Sequence, residues 1–73
     1  MKLTKADHRF MTVCELDAVD LSNAALIVAM KHETEVIKHR TDYSSRAVRK
    51  AYLRLVAYRD LLQMRQRSIA RYA

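Results

Sequence analysis

The absence of both glycine and proline from all 73 residues is the feature that most constrains the fold of this chain. Tight hairpin turns draw on glycine or asparagine at positive φ, and Asn23 is the single asparagine. Phosphate-binding loops and nucleophile elbows also depend on glycine, because the backbone must approach the ligand or turn sharply. A chain without these residues, and rich in alanine, leucine, arginine, lysine and methionine, is predicted to be all-α.

Helix-capping residues divide the chain, which we expect to form a single domain over residues 1–73, into helical segments. A short N-terminal helix is predicted to start after Thr4, whose hydroxyl can accept a hydrogen bond from a backbone N–H group at the helix start. A second helix is predicted for about residues 23–40, with Asp20 or Ser22 as its cap. Because its first half is apolar on every side, this helix is expected to be buried between the other two.

The third helix, from about Ser45 to near the C-terminus, carries an apolar residue at every seventh position. These positions, the heptad stripe, are Val48, Leu55, Leu62 and Ile69. The repeat predicts a long helix packed at a shallow angle on a neighbour, and the short connector before it predicts an antiparallel pair with the second helix. Arg65 interrupts the companion positions, so tight packing is expected to end near Leu62 and the chain to fray after about residue 66.

Basic residues are concentrated in the third helix. From Arg46 onward the chain carries eight bases and one acid, Asp60, whereas residues 1–45 carry six bases and seven acids. At 100° per residue, most of these bases fall opposite the heptad stripe. They are Arg46, Arg49, Lys50, Arg54, Arg67 and Arg71. This basic C-terminal helix predicts an anionic or charged protein partner, and the alternative is an ordinary solvated face.

Two large apolar residues, Leu53 and Met64, are predicted to lie on that basic face. Apolar side chains inside a charged rim are typical of protein interfaces. We therefore predict that Leu53 and Met64 anchor a partner, with Arg49, Arg54 and Arg67 around them. The alternative is that the N-terminal helix covers the two apolar residues, or that they are scattered on the surface.

A second candidate surface lies at the end of the first helix and in the connector that follows it. Glu15 and Asp17, with Asp20, form a small acidic patch that could receive a basic segment of a partner. The alternative is that Asp20 caps the second helix and that the other two carboxylates are simply solvated.

The sequence lacks the marks of catalysis, metal binding and membrane insertion. His32, Glu35 and His39 share one helix face, but their spacing is not a standard zinc spacing. We therefore expect no metal, no cofactor and no enzyme activity. The longest apolar run, residues 24–30, is too short to cross a bilayer, and the lone Cys14 rules out an internal disulfide. We expect a cytoplasmic monomer without membrane contact, with Cys14 buried.

The opening Met-Lys-Leu-Thr-Lys-Ala-Asp-His-Arg-Phe, the length, the single cysteine and the basic helical tail resemble a small transcription regulator of lytic bacteriophages that binds the host RNA polymerase. The resemblance implies docking on the N-terminal part of the β′ subunit in the host bacterial cytoplasm. It also implies inhibition of σ-dependent initiation, by hindering or displacing σ, and antitermination. Nucleic acid is expected as a secondary contact.

Two alternatives to the polymerase-binding hypothesis remain open. The basic third helix could bind DNA or RNA directly, in which case affinity would fall steeply with salt. The chain could also be a structural module that dimerises through the heptad stripe.

Overall fold

The computed structural model describes the backbone of residues 2–72 and the side chains of residues 2–67. Helix α1 spans Lys5–Ala18, α2 spans Asn23–Lys38 and α3 spans Ser45–Tyr72, with a single 3₁₀ turn over Arg40–Asp42. The described residues contain no strand, so the prediction of an all-α fold is confirmed. None of their helices combines the length and the hydrophobicity that crossing a membrane requires.

A hydroxyl side chain caps the N-terminus of each of the helices α1, α2 and α3. Thr4 and Asp7 form a capping box, in which the Asp7 N–H donates to Thr4 Oγ1 at 3.1 Å and the Thr4 N–H donates to Asp7 Oδ2 at 2.9 Å. Ser22 and Ser44 each accept a hydrogen bond of 3.1 Å from the backbone N–H three residues later. The predicted Thr4 cap is confirmed, and of the two candidates for α2 the cap is Ser22. Capping of this kind is typically worth about 1 kcal/mol per helix.

Helix α3, rather than α2, is the centre of the packing. Both α1 and α2 pack against α3, with little contact between each other. The prediction that α2 is enclosed between the other two helices is therefore wrong. Its outer side carries Val28 with 67 % of its surface exposed, and Ile27 is also exposed. Ala51 and Ala57, both fully buried, present small side chains where α3 meets its neighbours.

The buried residues of α3 cover a broad arc of the helix rather than the predicted narrow stripe. Ala51, Leu53, Ala57 and Leu61 are buried, whereas the heptad-stripe residues Val48, Leu55 and Leu62 are only half-buried. The stripe therefore lies at the edge of the buried arc and not at its centre, although Leu62 packs against buried residues. Because α3 packs on two neighbouring helices, its buried arc is wider than the narrow seam that a single neighbour would require.

The core cluster meets α3 toward the end of the part of that helix whose side chains are described. It joins Ala18 of α1, Leu26 of α2 and Leu61 of α3, with Tyr58 and Leu62 packed against it. The side chain of Ile69 lies outside the described residues, and the fraying predicted after about residue 66 stays a prediction.

Candidate partner-binding surfaces

Two arginines of the predicted basic face are engaged with acids of the other helices. Arg49 forms an ion pair with Asp7 of α1, and its Nε lies 3.3 Å from Asp7 Oδ1. Arg54 Nε donates to Glu33 Oε1 of α2 at 2.9 Å. Because carboxylates from α1 and α2 balance these guanidinium groups, the charge segregation visible in the sequence is partly cancelled in the folded chain.

Arg54 lies between helices rather than on an open face. Its guanidinium carbon is 5.9 Å from the centre of the Phe10 ring of α1, while Glu33 of α2 holds its Nε. The prediction that Arg54 forms part of an exposed rim is therefore wrong. Its role is to join α1, α2 and α3 at one point.

The Asp7 carboxylate is held in its ionised form. Its hydrogen bond with Arg49, followed by the backbone N–H of Thr4, lowers the pKa of Asp7 from 3.8 to about 2. The same ion pair raises the pKa of Arg49. The pair therefore stays charged at every pH that a cell experiences.

Leu53 is covered, not exposed. Only 3 % of its surface is accessible, and it lines a small cavity together with Ala6, Phe10 and Lys50. The prediction that Leu53 anchors a partner from an exposed position is wrong, and its alternative, burial under the N-terminal helix, is the one that the structure shows. Leu53 is a structural residue of the junction between α1 and α3.

Met64 is exposed over 52 % of its surface, as predicted. It follows Leu61, which packs with Ala18 at the last position of α1. α1 ends at this contact, and Met64 lies three residues further along α3. Arg67, one turn further along α3, is also exposed.

Five exposed apolar side chains belong to the end of α1, to its connector with α2, and to the part of α3 that is hydrogen-bonded to this connector. Four belong to residues 13–21 and the fifth is Met64, and we call this set the hairpin end. Its apolar members are Val13, Leu16, Val19, Leu21 and Met64. Leu16 is the most exposed of them, at 67 %. Four exposed apolar side chains within nine consecutive residues make this segment a candidate interaction surface.

The hairpin end is acidic as well as apolar. Asp17 and Asp20 are exposed and Glu15 is half-buried, while residues 10–30 contain no lysine, arginine or histidine. Val13, Leu16 and Asp17 lie at helical spacing on α1, and Asp20 follows in the turn after the helix. The two surfaces predicted separately, the acidic connector and Met64, thus lie at the same end of the molecule.

One arginine holds the hairpin end in place. Arg65 Nη1 donates to Asn23 Oδ1, and its Nη2 donates to the carbonyl oxygen of Val19, both at 2.9 Å. These bonds tie the connector between α1 and α2 to α3. A cation at the C-terminal end of α1 also complements the helix dipole.

Sequence reasoning missed the apolar half of this surface. Val13, Leu16 and Val19 are exposed, and no functional prediction from the sequence included any of them. The available signal was their position among three acids in a segment without bases. That combination is unusual for a helix face that packs into a core.

Two open grooves are each lined by residues of α2 and α3. Leu55 and Leu62 line the first, of about 490 Å³, with Ile27 and Met30 of α2. The half-buried stripe therefore faces a groove, and dimerisation through it stays a prediction.

The second groove, of about 520 Å³, lies where α2 leads into α3. It is lined by Ile37, Arg40, Tyr43, Ser45, Val48, Arg49 and Tyr52. We call this the tyrosine groove.

The described part of the chain contains no cluster of metal ligands and no reactive thiol. His39 Nε2 lies 3.4 Å from Glu35 Oε2, but no three ligating side chains of the described residues come together. Cys14 is a buried thiol, as expected, and desolvation raises its pKa. A thiol that resists ionisation is a poor nucleophile.

No protein-family model, no curated protein and no solved structure matches this chain.

Proposed function

We propose that this chain is a non-enzymatic transcription regulator that binds bacterial RNA polymerase in the cytoplasm of the host cell. In this proposal it docks on the N-terminal part of the β′ subunit, inhibits σ-dependent initiation by hindering or displacing σ, and acts as an antiterminator. The resemblance of its opening residues, length and basic tail to phage regulators supports the choice of polymerase.

The hairpin end is the proposed docking surface. The observation that carries this choice is the set of five exposed apolar side chains beside the exposed carboxylates of Asp17 and Asp20. Interfaces combine apolar anchors with a charged rim, and an acidic rim favours a basic region of the polymerase. Leu16 and Met64 are the anchors, with Glu15 and Asp17 at the rim.

The proposal also includes an antiparallel arrangement of α2 and α3, which places the start of α2 beside the later part of α3. Asn23 meets Arg65 and Glu33 meets Arg54, so positions rise along α2 as they fall along α3. This order supports an antiparallel pair of α2 and α3. Exposed Arg67, beyond the hairpin end on the basic C-terminal helix, then supplies a further charged contact with the polymerase.

Two equally exposed apolar residues provide a matched test of the docking surface. Leu16 and Val28 each expose 67 % of their surface, but only Leu16 belongs to the hairpin end. Tagged chains carrying Leu16→Ser or Val28→Ser would be incubated with nuclease-treated lysates of several bacteria, and the recovered β′ subunit quantified. We expect Leu16→Ser to lower recovery about tenfold, a typical loss for an interface anchor, and Val28→Ser to leave it unchanged.

A second measurement tests the consequence of binding. Purified polymerase carrying σ would be assayed for transcription from a σ-dependent promoter with the unaltered chain and both variants. Inhibition by the unaltered chain and by Val28→Ser, but not by Leu16→Ser, is expected. Failure to recover polymerase, or equal recovery with both variants, would contradict the proposal, and recovery of nuclease-sensitive material alone would favour direct nucleic-acid binding.

A further inference from the structure

Two exposed tyrosines share the tyrosine groove, at the connector between α2 and α3. Tyr43 follows the 3₁₀ turn and exposes 48 % of its surface, and Tyr52, in the second turn of α3, exposes 43 %. Ile37 and Val48 contribute apolar surface to the same groove. Flat aromatic rings beside an apolar floor form a surface on which another flat ring can stack.

These tyrosines differ from the structural tyrosine of the fold. Tyr58 packs against the core cluster, and desolvation raises its pKa. Tyr43 and Tyr52 instead leave almost half of their surface in water, although exposed aromatic surface contributes nothing to folding. The exposed parts of Tyr43 and Tyr52 are therefore accessible to a ligand.

The charge around the tyrosine groove is strongly positive. Residues 38–50 contain five bases and a single acid, Asp42. Arg40 and Arg49 line the groove itself. Asp7 balances the charge of Arg49, but Arg40 is exposed, and so is Lys38, which follows the groove residue Ile37 in the sequence. A positive rim around stacking surfaces selects a ligand that is both anionic and aromatic.

We propose that the tyrosine groove binds a short segment of single-stranded nucleic acid. One or two bases stack on Tyr43 and Tyr52, and the neighbouring phosphates contact Arg40 and Lys38. A duplex would not fit this chemistry, because its bases are stacked on each other and offer no free ring face. The site goes beyond polymerase docking and lies in a different part of the chain from the hairpin end.

The test uses fluorescence anisotropy with labelled oligo-dT and oligo-U of about 15 nucleotides, a length within the usual range of single-strand binding sites. The full chain would be compared with Tyr43→Ser/Tyr52→Ser and with Tyr43→Phe/Tyr52→Phe. Phenylalanine keeps the ring and removes only the hydroxyl. We expect the serine pair to weaken binding about tenfold or more and the phenylalanine pair to bind like the unaltered chain.

The salt dependence of binding tests the phosphate contacts. Arg40→Gln should reduce the slope of log affinity against log salt by about 0.7, the value expected for one phosphate contact on a single strand. Arg67→Gln is the matched control, because it lies about 27 Å along α3 from Arg49 of the groove. Its slope should equal that of the unaltered chain.

Several outcomes would overturn the proposal. They are no binding of either oligonucleotide at low salt, an equal loss with the phenylalanine and serine pairs, and an equal change of slope with Arg40→Gln and Arg67→Gln. Displacement of the oligonucleotide by a glutamate-rich peptide of the same charge would assign the groove to an acidic protein segment instead. Circular dichroism of each variant confirms folding, and if the serine pair does not fold, Tyr43→Ser alone, outside the helices, replaces it.

Discussion

The two ion pairs that join α3 to its neighbours use the same chemistry in different surroundings. Asp7 and Arg49 connect α1 to α3 near the start of both helices. Glu33 and Arg54 connect the middle of α2 to α3. Both carboxylates are largely shielded from water, and both arginines reach them from α3.

The difference lies in what else each carboxylate contacts. Asp7 Oδ1 and Oδ2 both accept hydrogen bonds, from Arg49 and from the Thr4 backbone, and the residue lies in the first turn of α1, where the helix dipole favours an anion. Glu33 has one oxygen bound by Arg54, while its Oε2 is buried without a hydrogen-bond partner among the described residues. Asp7 is therefore stabilised by its own helix end, whereas Glu33 depends on Arg54 alone.

This contrast suggests different roles for the two pairs. A buried ion pair with an unsatisfied oxygen adds little net stability, but it is costly to break. We infer that the Glu33–Arg54 pair specifies how α2 aligns with α3, while the Asp7–Arg49 pair strengthens a helix end that is already favourable. Substitutions in the core and at the two ion pairs should therefore lower the stability of the fold by different amounts.

The largest loss of stability is expected when a carboxylate is introduced into the core without an arginine to pair with it. Leu26 is fully buried in the core cluster, so Leu26→Glu should abolish cooperative unfolding. A chain of this size has only about 3–5 kcal/mol of stability to lose. Thermal unfolding followed by circular dichroism would show this, with Val28→Glu on the exposed side of α2 as the control. A folded Leu26→Glu chain would mean that the interior tolerates an unpaired carboxylate.

A smaller but still large loss is expected at the apolar contact beside the Asp7–Arg49 pair. Leu53→Ala removes a buried side chain and should cost about 2–4 kcal/mol, whereas Met64→Ala, at an exposed site, should cost less than about 0.5 kcal/mol. Urea denaturation of both variants would measure the two free energies of unfolding. Similar values would show that α1 does not depend on Leu53 for its attachment.

The next largest loss of stability is expected when the Glu33–Arg54 ion pair is broken. Arg54→Ala leaves Glu33 buried without its cation and should destabilise the fold by about 2–3 kcal/mol, somewhat less than is usual for a broken buried pair, because Arg54 is partly exposed. Replacing both partners, by Glu33→Met with Arg54→Met, should restore most of that stability. If the double variant is no more stable than Arg54→Ala in urea denaturation, the pair contributes net stability and the proposed division of roles is wrong.

The smallest effect is expected at Asp7, and it depends on pH. Its folded-state pKa is depressed to about 2 from 3.8. Its contribution is therefore fully present above pH 3.8 and is lost as the pH falls toward 2. Asp7→Asn should lower stability at neutral pH and flatten the acid dependence between about pH 4 and pH 2. Unfolding midpoints measured across that range would test this, since an unchanged acid profile would contradict the assignment to Asp7.

Local chemistry explains why the helices could be predicted. Thr4, Ser22 and Ser44 act on backbone groups three residues away, so their effect does not depend on the rest of the fold. The lack of glycine and proline likewise acts through each residue's own backbone. These are the reasons that the all-α class and the helix starts could be read from the sequence.

The candidate site was predicted less well, because exposure is not a local property. A helical wheel groups Leu53 and Met64 on one face of α3, yet α1 covers the first and ends before the second. It also places Arg49 and Arg54 on a basic face, while the acids that balance them come from residues 42 and 21 positions away. No spacing within α3 carries that information.

The sequence by itself determined the helices of this protein, because capping hydroxyls, the absence of helix breakers and apolar periodicity act within a few residues. The tertiary structure alone decided which side of α3 is buried, which arginines are neutralised and where the exposed apolar and aromatic residues collect. Those outcomes depend on where α1 and α2 begin and end along α3, and hence on contacts between residues far apart in the chain.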